Sequence, residues 1–475
     1  GHDGAVFPES MYLWGTTSSA IYGWPGDRGS LPPGTPVNQY VRHEWQGGIE
    51  LSAMMLEAYN VTRDNLFLQD KLLPIAESVM TFYDQHYGRD TNGKLDLSGD
   101  VQVLETWWDA TNPLPEVAGL HFVLGKLLDL PSTETTQAQR DQWTRLLSEL
   151  PDIPTRQVDS TEIYAPGETF ADKHNTENGE LYGVFPYLIS GVGKDSLQLG
   201  IDTYNNRYHT NNSGWSQDVI QAALLGLTEE AKSQIVSRYA AKDPGSRFPG
   251  FYGPNFDWLP DQDHPSVASI ALQKMLLQVD GDSVELFPAW PTDWDVEFKL
   301  SGPAGKVFMG AFSGGEVLWM DPTLDGIIGD DDFALVDAHL GFDNGLNAGN
   351  VESLELGDVN LDGTVDEADI ASLVLGVVSA TPGDFDRNTI IDERDWWLYR
   401  DNFRADLSDL SMLERYLRGD MNLDGVNDWI DLDLFKSAYN DVNGTGAFEA
   451  MVLAVPEPTS SAFLSLMSFV LFWLR

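Results

Sequence analysis

Through the first 280 residues, apolar side chains recur three and four positions apart, the spacing of a helix with one buried face. The pattern predicts a helix beginning over 49–56 and a second over 72–87. The second carries Leu72, Leu73, Ile75, Ala76, Val79, Met80, Phe82 and Tyr83 on one side. A third, over 115–128, opens on Pro115, where a missing N–H costs least. Further helices are predicted over 138–149, 180–190, 196–209, 216–225, 228–240 and 265–278, nine or ten in all. From 283 the period shortens toward two. SVELFPAW, WDVEFKL and GEVLWM read as short strands of a small β module over 283–320. Residues 321–442 repeat a loop–helix unit, and 443–475 are a linker ending in an apolar run from Ala462 to Leu474.

The repeat is chemically specific. DVNLDGTVDEAD at 358–369, DFDRNTIIDERD at 384–395 and DMNLDGVNDWID at 420–431 place Asp or Asn at positions 1, 3, 5, 9 and 12. A hard cation such as Ca²⁺ takes six to eight oxygens, and a 12-residue loop aims alternate side chains at one point. The side-chain ligands predicted are Asp358, Asn360, Asp362, Asp366 and Asp369; Asp384, Asp386, Asn388, Asp392 and Asp395; Asp420, Asn422, Asp424, Asp428 and Asp431. Position 7 supplies a backbone carbonyl, from Thr364, Ile390 and Val426. Gly363 and Gly425 occupy position 6, where the turn is sharp, and Thr389 replaces Gly in the middle loop. A fourth copy, DPTLDGIIGDDD at 321–332, has Thr at position 3 and Gly at position 9, which makes it a weaker site. Loop starts separated by 37, 26 and 36 residues pair 321 with 358 and 384 with 420. Asp instead of Glu at position 12, with one helix after each loop, resembles dockerin type I repeats. The resemblance implies Ca²⁺-dependent folding and a cohesin-like partner. Trp396 and Trp397 are either a docking surface or core between repeats.

Composition sharpens this reading. At ~100–200 residues per domain, 475 residues make two to four domains. The net charge of −46 excludes nucleic acid as a partner, since phosphates need basic patches. About half of that excess lies in residues 321–460, with 31 acidic and 7 basic side chains, as expected of metal loops. The absence of cysteine excludes thiolate–zinc sites, disulfide scaffolds and Cys nucleophiles. The chain opens Gly1-His2-Asp3 without Met or a signal peptide, so it is expected to be a fragment lacking its N-terminus.

The last 21 residues carry another signal. VPEPTS at 455–460 precedes 13 mostly apolar residues and Arg475, too few for comfortable spanning of a bilayer at ~20 residues. This tail resembles a PEP-CTERM sorting signal. The resemblance implies export, processing by an exosortase, transient membrane anchoring, and a cell-surface or exopolysaccharide partner.

The order of segments upstream also points to a family. WQGGIELSAMMLEAYNVTRD at 45–64, VLETWWDATNPLPEVAGL at 103–120, HNTENGELYGVFPYLI at 174–189, SGWSQDVIQAALLGL at 213–227, DWLPDQDHPSVASIALQKMLLQ at 257–278 and VELFPAWPTDWDVEFKL at 284–300 follow one another. This succession resembles glycoside hydrolase family 95, and implies an (α/α)6 toroid over 1–282, N-terminally truncated. It also implies an exported enzyme that hydrolyses O-glycosidic bonds of a poly- or oligosaccharide, inverting, with no metal in the chemistry. Glu105 falls at the family's general acid, and Asp263 at the Asp that works with the attacking water. Both local contexts depart from the family: LETWWDATN stands for Ser-Pro-Glu-Asn, and His264-Pro265 for Gly-Asn. The candidate substrate contacts are Trp107, Trp108, Asp109, Glu177, Glu180 and His264. Two-carboxylate chemistry needs one protonated and one ionised group, and Glu44, Asp109, Glu116, Glu177 and Glu180 compete for those roles. Two other readings stand. A polysaccharide lyase on the same fold would use Tyr182, Tyr208 or His209 to abstract a proton, and a non-catalytic sugar-binding or scaffold protein would use none.

Overall fold

Two of the strongest sequence periodicities form helices, Gly47–Thr62 (α1) and Leu73–His86 (α2). α2 buries Leu73, Ala76, Val79, Met80, Phe82 and Tyr83, residues that a 3.6-residue period puts on one face. Ahead of it the backbone widens to π-helical over Leu68–Leu72, beside Pro74, which has no N–H for the ladder. The structure is a computed structural model that describes residues 2–241 and 263–454, apart from positions 9, 13, 25, 213, 347, 381, 389 and 411. It divides into two compact units: residues 1–294 with 300–306, and residues 295–299 with those from 307 on.

In the first unit Leu114–Asp129 (α3) packs against α1 and against Gln137–Glu149 (α4). Ile49, Leu56, Val79, Val117, Leu120, Leu124 and Trp143 share this core. A second core joins Asp218–Leu224 (α6), Thr228–Ala240 (α7) and Asp263–Leu276 (α8), with Leu197–Asn205 (α5) ahead of them; Ile220, Ile235, Ala268, Ala271 and Met275 fill it. Eight α-helices of seven or more residues are present in this unit among the described residues. That is fewer than the expected nine or ten, and fewer than a ring of six hairpins needs. Among the described residues the architecture is mainly helical with small sheets.

The helix expected over 180–190 is not formed. Only a 3-10 turn, Gly179–Gly183, appears there, because Gly183 and Pro186 interrupt the apolar pattern. Besides a two-residue pair, Gly88–Arg89 with Leu95–Asp96, four longer strands escaped the pattern. Trp107–Pro113 (β1) pairs antiparallel with Gly167–Lys173 (β4), and Thr155–Val158 (β2) with Thr161–Tyr164 (β3). β2 and β3 are four residues each and mostly polar, so neither carries a readable alternation.

The strands after 276 fall differently from a single module at 283–320. Leu277–Asp280 (β5) and Ser283–Leu286 (β6) form a hairpin in the first unit. Val296–Ser301 (β7), Val307–Ser313 (β8) and Glu316–Met320 (β9) form a three-stranded sheet. β8 and β9 share a core with the repeats, where Met309, Ala311 and Trp319 join Val336, Val374, Val377, Phe385 and Phe435. Trp396 packs against this core, stacked on Tyr399 with ring centres 5.7 Å apart, while Trp397 is 40% exposed. The expected apolar run 462–474 and the VPEPTS motif lie outside the described residues. Among the described residues, no helix is long and apolar enough to cross a membrane.

Two glycines on α3 separate packing from propensity. A methyl group added at Gly119 would stand 2.5 Å from Ile49 Cγ2 and 2.5 Å from Tyr187 Cζ, whereas at Gly125 nothing lies within 4 Å. Gly119→Ala is expected to cost about 1–3 kcal/mol of first-unit stability by overpacking. Gly125→Ala is expected to gain up to about 1 kcal/mol from helix propensity. Denaturant unfolding of the two variants measures both.

Candidate active site and metal loops

The first unit encloses a cleft of about 1180 Å³. Five stretches of chain line it: the start of α1, the turn before β1, residues 175–182, residues 215–221, and Asp263 at the first position of α8. An N-terminal segment with Phe7, Tyr12 and Ile21 contributes as well.

Glu105 reaches the cleft from a tight turn. Val103 and Trp107 bridge to each other, and Leu104 between them takes a left-handed φ of 51°, unfavourable for a branched side chain. The Glu105 carboxylate accepts a hydrogen bond from Asn175 Nδ2 at 2.6 Å. Its backbone N–H donates to Glu177 Oε2 at 2.7 Å, and the Thr106 hydroxyl donates to the same oxygen at 3.1 Å. Glu177 thus holds the turn that presents Glu105, and it lines the cleft itself. Asp263 lines the same cleft and is exposed. The two sequence-predicted catalytic carboxylates therefore share one cavity, although 158 residues of chain separate them.

The other sequence candidates are placed differently. Trp107 packs edge-on against Phe170 and Tyr208 in a small core, and Trp108 stacks on His174 with ring centres 3.5 Å apart. Asp109 is exposed. None of the three lines the cleft. Glu180 is fully buried outside the lining and accepts the Tyr208 N–H at 2.9 Å; burial raises its carboxyl to about 7. His264 is buried too. Its Nδ1 accepts from the Gly214 N–H at 3.2 Å, which leaves Nε2 to donate to the Arg238 carbonyl at 2.9 Å. Of the expected substrate contacts, Glu177 lines the cleft, while Trp107, Trp108, Asp109, Glu180 and His264 stand outside its lining. Residues 257–262, ahead of Asp263, lie outside the described residues.

Sequence reading missed part of the lining. Glu50 and Gln46 stand four residues apart at the start of α1, a spacing that puts both on one face. Burial raises the Glu50 carboxyl, opposed by a hydrogen bond with Tyr182. Asp218 is buried and paired with Arg207 Nε at 2.6 Å; burial raises its carboxyl and the guanidinium opposes the rise. Gln221, Asn175, Asn178 and Trp215 complete the polar and aromatic wall. Among the described residues no Lys, Arg or His lines the cleft.

In the second unit the acidic loops share one wiring. The position-1 carboxylates accept loop N–H groups: Asp358 from Asp362 and Gly363, at 3.0 Å each, and Asp420 from Asp424 at 3.1 Å and Gly425 at 2.7 Å. At position 12, Asp369, Asp395 and Asp431 accept from the N–H groups of positions 2, 3 and 9. Position 9 begins the following helix: Asp392 and Asp428 cap Glu393–Asp401 (α9) and Trp429–Asn443 (α10). Position 4 is left-handed in all four loops, at Leu324, Leu361, Arg387 and Leu423. Thr389 lies outside the described residues. Asp343 bridges Thr364 and Asp406 bridges Val426, so the segment after each first helix meets position 7 of the second loop.

These residues fit Ca²⁺. One carboxylate oxygen each from Asp384, Asp386 and Asp395 lies within 4.8 Å of the others. Asp358, Asp369, Asp384, Asp395, Asp420 and Asp431 are almost wholly buried. Desolvation raises Asp358, Asp420 and Asp431, and raises Asp369 and Asp395 to about 6. A divalent cation among these oxygens would offset that cost.

No family model matches the chain, and no curated protein matches it. One solved structure similar to it is "Putative kojibiose phosphorylase from human microbiome". The two are 11% identical, with a TM-score of 0.44, over 66% of this chain and 49% of that one. The chain spans about half the length of that structure.

The raised aspartates give a signed expectation. Carboxyls with raised folded-state values stabilise the metal-free fold at acid pH and lose that contribution as pH climbs from about 4 through about 6. Metal-free protein should therefore show a second-unit melting transition that falls across this window. Ca²⁺ should reverse the trend at neutral pH, adding about 2.7 kcal/mol per loop at a hundredfold excess over Kd. Calorimetry with Ca²⁺ and with EGTA reads both; a transition indifferent to Ca²⁺ contradicts the assignment.

Proposed function

We propose that the first unit is a carbohydrate-active enzyme that hydrolyses a glycosidic bond between Glu105 and Asp263. The observation that carries this reading is their meeting in one cleft. Glu105, oriented by Asn175 and by the Glu177-held turn, is the proton donor to the leaving oxygen. Asp263 orients the attacking water, and inversion is the expected outcome of chemistry in which water attacks from the opposite face. Tyr12, Tyr182 and Trp215 supply rings in the lining against which a pyranose face can pack.

In this reading the acceptor is water, and the acidic lining, with Glu44, Glu50, Glu105, Glu177, Asp218 and Asp263, disfavours a polyanionic substrate. The lyase alternative finds less support. Tyr182 does line the cleft, but burial and the charges of Glu50 and Glu177 hold its phenol well above the usual value, so it keeps its proton near neutrality. Tyr208 and His209 lie outside the lining.

The second unit, in this reading, is a pair of dockerin-like modules that fold around Ca²⁺, held by the eighteen loop residues from Asp358 to Asp431 named above. Its chemistry there is structural: the ion gathers loop oxygens and plays no part in glycoside cleavage. A cohesin-like or cell-surface partner, export and exosortase processing of the tail belong to the same reading, carried by the sequence motifs alone.

Glu105→Gln and Asp263→Asn should each lower kcat by about 10²–10⁴-fold, the usual worth of a proton-transfer group. Glu177→Gln should cost less, because an amide oxygen still accepts from the Glu105 N–H. Initial rates on a panel of plant and algal glycans test this, and full activity in both single variants contradicts the roles assigned.

A further inference from the structure

A hairpin near the start of the chain carries an aromatic pair outward from the cleft. Met11 and Thr17 bridge antiparallel. Between them the Tyr12 N–H donates to the Thr16 carbonyl at 2.8 Å, and the Gly15 N–H donates to the Tyr12 carbonyl at 2.8 Å. Gly15 closes the turn at a φ of 83°, which glycine adopts without strain. Met11 and Tyr12 on one arm and Ser18 on the other line the cleft, whereas Trp14, at the turn, stands beyond the lining. The Tyr12 and Trp14 rings stack, with centres 4.7 Å apart and planes 21° from parallel.

The base of this pair is held in place by hydrogen bonds. The Tyr12 hydroxyl donates to Ser19 Oγ at 3.0 Å and accepts the Ser19 N–H at 3.2 Å, and Ser10 Oγ donates to Ser18 Oγ at 2.8 Å across the hairpin. Yet Trp14 is 72% exposed. Stacking on Tyr12 covers one face of the indole, and the exposure that remains leaves the other to solvent. Scattered apolar side chains on a surface are ordinary, but here the ring extends a cleft wall and is already ordered, so a ligand that packs on it loses little to ordering the site. Chemistry narrows the occupant. Residues 10–26 contain no charged side chain, and Thr16, Thr17, Ser18 and Ser19 follow the turn. A nucleic-acid base could stack on the indole, but its phosphates need cations that this segment lacks. A neutral pyranose meets both features, with a C–H face for the ring and hydroxyls for the polar rim.

We propose that Tyr12 and Trp14 form an outer sugar subsite, in which one residue of a glycan chain packs on the indole while the bond to be cleaved lies in the cleft. The substrate is then a neutral polysaccharide or long oligosaccharide rather than a disaccharide. The inference rests on the carbohydrate reading of the cleft and adds the length and charge of the chain recognised.

The test uses the full chain with cello-, xylo-, manno-, laminari- and malto-oligosaccharides of two and six units. Binding is measured by calorimetry in a Glu105→Gln background, to prevent turnover, and cleavage in the otherwise native protein. In at least one series the hexasaccharide should bind about tenfold more tightly than the disaccharide, and Trp14→Ala should abolish most of that ratio. Trp14→Phe, which keeps a ring, should retain most of it, a rescue that mere damage to the hairpin would not show. Equal affinity for both lengths, or a length preference that survives Trp14→Ala, overturns the subsite. So does a Trp14-dependent change of oligomeric state without a change in the affinity ratio, which would make the indole a protein contact. Cleavage of glycans without any length preference overturns the subsite and leaves the hydrolase reading standing. Trp14-dependent binding with no cleavage of any glycan overturns the hydrolase reading and leaves the subsite standing. Absence of both binding and cleavage across the panel overturns both.

Discussion

Taking a carboxylate out of water is costly, and the way each one is answered shapes this molecule. A buried carboxylate must find N–H donors, a counter-charge or a proton. The second unit answers with backbone. Asp369, Asp395 and Asp431 each gather N–H groups from the start of their loop and from position 9, tying both ends of the loop to one side chain. The first unit answers piecemeal. Asn175 serves Glu105, the turn N–H serves Glu177, Arg207 serves Asp218, and Tyr182 serves Glu50. Deep beneath the cleft Glu116 meets the demand by holding its proton, with burial raising it to about 8.

Both solutions depend on backbone held in uncommon conformations. Leu104 is left-handed at the turn that presents Glu105, and the position-4 residues Leu324, Leu361, Arg387 and Leu423 are left-handed in the loops. Side chains other than Gly and Asn resist that region by roughly 1–2 kcal/mol. Each such residue is flanked by a carboxylate whose hydrogen bonds need the bend, so strain and satisfaction are coupled. The same coupling explains why position 6 is Gly363 and Gly425, both with φ above 90°, in two of the loops.

Legibility in the sequence followed the strength of the local signal. α2 and α3 were readable because their apolar faces are unbroken, and the loops because ligand spacing, turn glycine and helix start repeat in register. The meeting of Glu105 and Asp263 was suggested only by segment order. Gln46 and Glu50 were invisible because polar residues four apart at a helix start look like a solvated face, and only tertiary packing buries them. His264 and Glu180 stand beside catalytic candidates in the sequence, yet the fold turns both inward, where His264 accepts the Gly214 N–H and Glu180 Oε1 accepts the Tyr208 N–H. Strands β2 and β3 were lost because four-residue polar strands have too few positions to show a period.

The central claim is that a carboxylate-oriented water, and neither a phosphate nor an internal base, completes the reaction in this cleft. It is tested most directly by mass analysis of glycan products formed in water enriched in heavy oxygen, with phosphate present. One heavy oxygen on each new reducing end is the expected result. A phosphorylated sugar, or an unlabelled unsaturated end, would contradict it.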